Sequence, residues 1–286
     1  MNFLYALAEP LAFIIRPIYE LIGDYGITLI AVTLLIKIIT IPFSIMSQKS
    51  TARTQLIQPE LQKLQEKYKN DKNMLSIKMQ ELYKKNNVNP MGGCLPLILQ
   101  MFILFGFIRV VYDPLTYMLG LTKDQIGAIT TALGVENHIY QVSLCGLEGF
   151  AAELAKLGKP MIDFDFFGID LTMIPKDHFT SITVWIFPAL AVIATYVSSY
   201  ISKKQMNSNN NNNKKKNDAT DQAQNMSNSM MTFMPIMTAF FTVTMPVGMS
   251  LYWFISTAFQ LLQQTFMTKV INKKIEEEMM AERKVK

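Results

Sequence analysis

Cysteine and histidine are nearly absent, two of each in 286 residues. Neither Cys94 nor Cys145 has a Cys or His neighbour at metal-ligand spacing, so no zinc site is expected. No nucleophile set, phosphate-cradling loop or internal repeat is visible, and the sequence calls for no metal and no cofactor. A secretory signal is missing as well: it needs a basic start and an unbroken apolar run, and Glu9 and Pro10 interrupt the run here. The start is therefore expected to be retained. With no cysteine before residue 94, a lipoprotein-type anchor near the start is not expected either. Charge is scarce, at 17% of residues, while 50% are hydrophobic.

What is present is long apolar runs instead of alternation at helix or strand period, the mark of a membrane-spanning chain. Crossing a bilayer as a helix takes about twenty apolar residues. Residues 26–46, 95–119, 182–201 and 251–267 approach or meet that length. A fifth run, 230–245, rises only about 24 Å at about 1.5 Å per residue, against a hydrocarbon core of about 30 Å. Tilt or a thinned bilayer is expected there.

Charge orients these spans. Residues 47–90 hold Lys49, Arg53, Lys63, Lys67, Lys69, Lys72, Lys78, Lys84 and Lys85 against Glu60, Glu66, Asp71 and Glu81, so this segment is expected in the cytoplasm. Residues 120–180 are acidic on balance and belong outside. The lysines at 203–204 and 214–216, and those of the tail, return the chain inside. On this topology Cys94 and Cys145 fall on opposite sides and cannot pair. The net charge of +5 is explained by lysines meeting anionic lipid, and no nucleic acid binding is required.

The resulting expectation is an all-α integral membrane protein with its amino terminus outside and its carboxyl terminus in the cytoplasm. Residues 1–24 form an amphipathic helix on the outer surface, with Leu11, Ile14, Ile15, Ile18, Leu21 and Ile22 on one face and Arg16 and Glu20 on the other. Five spans follow, at 25–46, 91–119, 181–201, 230–246 and 247–268. Residues 47–90 are a cytoplasmic helical hairpin, 120–180 an outer segment, 202–229 a disordered loop carrying an asparagine run, and 269–286 a basic cytoplasmic tail. Within the hairpin, Leu61, Leu64 and Tyr68, then Leu75, Met79 and Leu82, recur at helical spacing on either side of Asn70-Asp71. Pro59 suits a first helical turn. The last two spans are joined through Pro246, Val247 and Gly248, a tight hairpin.

The first span carries chemistry. Thr33, Lys37, Thr40 and Ser44 lie four, three and four residues apart and share one helical face, which points away from lipid. A charge near the bilayer centre costs at least ~2.5–3.5 kcal/mol, so water or an anionic visitor must offset Lys37. The expected cores of the spans contain no carboxylate to do so. Other spans supply Gln100, Thr183, Thr195, Thr238, Thr242, Ser256, Gln260 and Gln263. Arg109 and Asp113 sit near the outer end of the second span, where reaching the interface is easy. Twenty methionines suit a surface that accepts many apolar sequences, and equally suit irregular helix packing.

Two motifs carry a resemblance. Residues 89–101, Asn-Pro-Met-Gly-Gly-Cys-Leu-Pro-Leu-Ile-Leu-Gln-Met, resemble the second-span signature of YidC-type membrane protein insertases, the YidC/Oxa/Alb family. Residues 246–256, Pro-Val-Gly-Met-Ser-Leu-Tyr-Trp-Phe-Ile-Ser, followed by Gln263-Gln264, resemble the last-span signature. The resemblance implies five transmembrane helices around a hydrophilic groove open to the cytoplasm and lipid and closed outside. It implies that Lys37 stands where the family usually has arginine and attracts acidic parts of a client, without arginine's bidentate fork. Thr33, Gln100 and Trp253 match positions that line the groove or touch clients, with Tyr252 beside them.

The function implied is an insertase of a bacterial plasma membrane. It receives client transmembrane segments, recruits them through the hairpin and releases them into lipid, without being an enzyme. Its partners are nascent membrane proteins and the bilayer, and the basic tail leaves contact with the ribosome and the Sec translocon open. Two other readings stand beside it: a small anionic-solute transporter, weakened by the missing repeat, and an assembly factor that inserts nothing.

Overall fold

A computed structural model describes residues 2–89, 95–135, 140–208 and 233–285, which are mostly helical. Residues 90–94 of the first motif, with Cys94, and the asparagine run of the 202–229 loop lie outside the described residues. In chain order the helices are α1 (Asn2–Ile22), α2 (Tyr25–Ile39), α3 (Ile41–Leu56), α4 (Gln58–Lys67), α5 (Lys72–Lys85), α6 (Leu95–Tyr112), α7 (Pro114–Tyr117), α8 (Lys123–Ala132), α9 (Phe150–Lys156), α10 (Ile186–Ser208), α11 (Phe233–Thr244) and α12 (Val247–Val285). A two-stranded antiparallel ribbon, β1 (Asp165–Phe166) and β2 (Ile169–Asp170), lies between α9 and α10.

Among the described residues, the helical stretch Ile182–Lys204 is by itself long and apolar enough to cross a membrane. The pair α2 and α3, taken as one span, makes a second, and Ile98–Tyr112 and α11 are shorter apolar helices. The helix expected over 25–46 is interrupted at Thr40. Pro42 has no N–H for the carbonyl four residues back, and its ring crowds that turn. α2 therefore stops at Ile39, and α3 continues past residue 46 to Leu56. α10 likewise runs on to Ser208, and α12 is one helix through most of the tail.

The chain forms two compact units. One joins Met1–Ile38, Leu99–Val192 and Ala239–Ser256; the other joins Ile39–Ile98, Ile193–Thr238 and Thr257–Lys286. In the first unit the buried face of α2, made of Tyr25, Leu29, Val32 and Ile36, packs into one core with Phe107, Val110 and Val111 of α6 and with Met249, Leu251 and Tyr252 of α12. α1 joins this core through Ala8, Leu11, Ile15 and Tyr19. This corrects the sequence expectation: Leu11 and Ile15 face protein, while Leu21 is exposed. Periodicity finds an apolar face but does not say what covers it.

The described residues of the 120–180 segment are folded, and many of them belong to this core. Thr122 starts α8 with a capping box, its side chain taking the Gln125 N–H while Gln125 returns to the Thr122 N–H. The β1–β2 turn places Phe167 and Gly168 at positive φ, 55° and 77°, the conformation a tight hairpin needs. Phe166 then lies against Gly26, where any Cβ would strike its ring, and Phe164 meets Tyr25 edge-on at 4.8 Å. The first N–H groups of α12, which have no partner inside the helix, donate to this segment: Val247 N to Met173 O at 2.9 Å and Gly248 N to Leu171 O at 2.8 Å. Cys145 is buried here, and burial pushes its thiol pKa up to about 12.

Arg109 and Asp113 were expected to reach the interface by position; instead they form a buried ion pair at 3.0 Å. The loop around Gln141 covers them. Its backbone N–H donates to Asp113, and its side chain bonds both the backbone N–H and the hydroxyl of Thr116. The Gln141 backbone bond offsets part of the cost of burying the Asp113 charge.

In the second unit the consecutive helices α4 and α5 pack against each other. Pro59 lies in the first turn of α4, and Asp71 caps α5 by accepting from Met74 N at 2.9 Å. A small cluster of Ala52, Ile57, Leu61 and Val88 holds it, with Leu56, Met79, Leu82 and Tyr83 packed alongside.

Candidate functional site

The site begins with the donor-only chemistry of lysine. Lys37, in the last turn of α2, donates from Nζ to Gln100 Oε1 of α6 at 3.0 Å. An ammonium accepts nothing, so it fixes which end of the amide faces it. The Gln100 NH2 end consequently points the other way and donates to the Tyr252 hydroxyl of α12 at 2.8 Å. The Tyr252 hydroxyl also meets the Ser256 side chain, one turn further along α12. The result is a directional chain, Lys37 to Gln100 to Tyr252, across segments separated in sequence by 63 and 152 residues.

Packing holds the chain in place. Tyr252 is 2% exposed, and its ring stacks on Phe107 at 4.2 Å. Trp253, half-buried, stacks on Phe241 at 5.9 Å. Neither phenylalanine was singled out from sequence. Phe107 follows Gln100 by seven residues, two helical turns on the same face, and that spacing was the available signal.

The other expected groove residues take different places. Thr33 is buried and its hydroxyl bonds back to Leu29 O at 2.6 Å, so it presents no free donor to a cavity. Thr40, Ser44 and Gln260 belong to the second unit. Ser44 bonds back to Thr40 O at 3.2 Å, and Gln260 is exposed.

On the hairpin, Leu61 is buried and Met79 and Leu82 pack beside it, so these three fasten α4 to α5. Leu64, Tyr68 and Leu75 are half-buried, and the Lys67 ammonium sits 5.5 Å from the Tyr68 ring centre. The large apolar side chains that α5 leaves exposed are Met74 and Ile77, three residues apart, which the sequence reading passed over. Among the described residues no group of three His, Cys, Asp or Glu is placed to hold a metal ion. The site offers a cation held by the neutral Gln100 amide within an apolar unit.

The pattern that defines the 60Kd inner membrane protein family matches residues 17–274. The chain belongs to this family. Among relatives of the 60Kd inner membrane protein family, one from Fusobacterium nucleatum named membrane protein insertase YidC is 30% identical over 270 residues, covering 94% of this chain and 98% of its own length. A protein of the same name from Wolinella succinogenes is 28% identical over 273 residues, covering 96% of this chain but 39% of its own length. One from Dinoroseobacter shibae reaches 43% identity over 108 residues, 38% of this chain and 18% of its own length. The chain thus spans nearly the whole length of the Fusobacterium nucleatum relative and about two-fifths or less of the other two.

Proposed function

We propose that this chain is a membrane protein insertase. Its five apolar segments span a bacterial plasma membrane with the amino terminus outside, around a hydrophilic groove open to the cytoplasm. A client approaches the α4–α5 hairpin, its polar terminus enters the groove, and Lys37 attracts the negative charge it carries. The client helix then leaves for lipid, driven by burial of about 0.8 kcal/mol per methylene.

The observation that carries this reading is the Lys37–Gln100–Tyr252 chain. The Gln100 amide holds the Lys37 ammonium in place from a neighbouring helix, and a cation so positioned attracts a visiting carboxylate. The names of the relatives support the same reading.

The test is reconstitution into vesicles with single-span clients bearing an acidic terminus. Lys37→Ala and Lys37→Glu should each lower insertion about tenfold or more, a difference of at least ~1.4 kcal/mol, while Lys37→Arg keeps it. Equal insertion by the Ala, Glu and parent proteins would remove the electrostatic role.

A further inference from the structure

α1 has two apolar faces, and the core uses only one. Ala8, Leu11, Ile15 and Tyr19 are buried. On the other side Phe13, Pro17 and Leu21, spaced four and four, form an exposed ridge in which Phe13 is 89% and Leu21 87% exposed. An exposed ridge of this kind on a membrane protein faces acyl chains.

Beside the ridge lies a cavity of about 780 Å³ with apolar walls from Pro10, Phe13, Pro17 and Tyr117. Two charged side chains line it as well, Glu9 and Arg16. Arg16 is held in position: its Nη2 donates to Thr116 O at 3.2 Å. Its guanidinium lies flat against Gly120, where a Cβ would come within 2.8 Å of Cζ. A guanidinium has five N–H donors in a planar fork suited to phosphate, and the bond to Thr116 uses one of them. Glu9 lies two helical turns from Arg16 on the same side of α1, about 10 Å along the axis. A cation and a carboxylate bordering one apolar cavity complement a headgroup that itself carries both signs.

We propose that this cavity binds one phospholipid with a zwitterionic, amine-bearing headgroup. Its phosphate sits on Arg16, its ammonium on Glu9, and an acyl chain runs along Phe13 and Pro17. An anionic headgroup without the amine would meet the Glu9 carboxylate and lose the second contact. The proposal rests on the chain residing in a membrane, and it is independent of insertion activity.

The full chain, purified in mild detergent and equilibrated with equal amounts of phosphatidylethanolamine and phosphatidylglycerol, is examined by native mass spectrometry. One retained lipid is expected, with phosphatidylethanolamine favoured about tenfold. Arg16→Gln should lose the adduct with either lipid, whereas Glu9→Gln should keep an adduct and lose the preference. Both side chains are exposed, so both variants should fold. A photoactivatable phosphatidylethanolamine in vesicles of the parent protein should also label the peptide spanning residues 9–17. Unchanged retention in Arg16→Gln, a parent preference for phosphatidylglycerol, or no label on that peptide would overturn the proposal. Loss of client insertion in Lys37 variants would leave these readouts unchanged.

Discussion

The surroundings of Lys37 and the α4–α5 hairpin are built on opposite plans. The Lys37 chain joins three helices that are far apart in sequence, and it rests on a core shared by most of its unit. The hairpin is held by a cluster whose members all fall between Ala52 and Val88. A site built on long-range contacts is lost only when its unit loses its packing, whereas a local cluster can open by itself. The difference suits the proposed work, in which a charge fixed by long-range contacts waits for clients delivered by a part held by local ones.

That contrast can be broken first at Phe107. Phe107→Ala removes a fully buried ring beneath Tyr252 and should cost about 3–5 kcal/mol. In thermal unfolding the whole unit should melt earlier. A variant that lost insertion without losing stability would show that the ring is not a support. Next, Leu61→Ala should cost about 2 kcal/mol, because a small cluster near the surface can partly collapse into the space. Limited proteolysis should cut the variant faster between residues 58 and 85 while the melting of the first unit is unchanged. Equal acceleration of cleavage everywhere would end the claim of local stability.

Tyr252→Phe keeps the stacked ring and removes only the hydroxyl. It leaves the Gln100 amide without its acceptor, at a cost of about 1–3 kcal/mol. The specific signature is loss of insertion for acidic clients with neutral clients spared, measured side by side. A uniform loss would make Tyr252 a packing residue only.

The smallest effect concerns pH. The folded Cys145 thiol is raised from 9.0 to about 12 by burial. A raised folded pKa means the unfolded chain gives up its proton first, so stability is intact below pH 9 and declines as pH rises towards 12. Cys145→Ala should flatten that alkaline decline slightly in a melting series, and an unchanged slope would assign it to other groups.

The parts written in the sequence are those governed by local chemistry. The hairpin follows from leucines at helical spacing, Pro59 in a first turn and Asp71 as a cap. Lys37 and Gln100 stood out because polar residues inside apolar runs need a partner. The break at Thr40 was within reach, since Pro42 announces it. What could not be read was set by contacts between distant segments. Phe166 covering Gly26, Gln141 covering the Arg109–Asp113 pair and α1 turning Leu11 and Ile15 inward each depend on which surface meets which, and no periodicity encodes that. The 120–180 segment looked like an acidic insertion without a role. Its carbonyls in fact receive the first N–H groups of α12, the helix that carries Tyr252 and Ser256.

The central claim is that the charge at position 37 selects clients, and a charge swap tests it most directly. Two otherwise identical single-span clients, one with an acidic and one with a basic terminus, are presented to vesicles holding either the parent protein or Lys37→Glu. The account predicts that the parent favours the acidic client and that Lys37→Glu shifts the ratio towards the basic one by about tenfold or more, a change of at least ~1.4 kcal/mol. The same ratio from both proteins would contradict it.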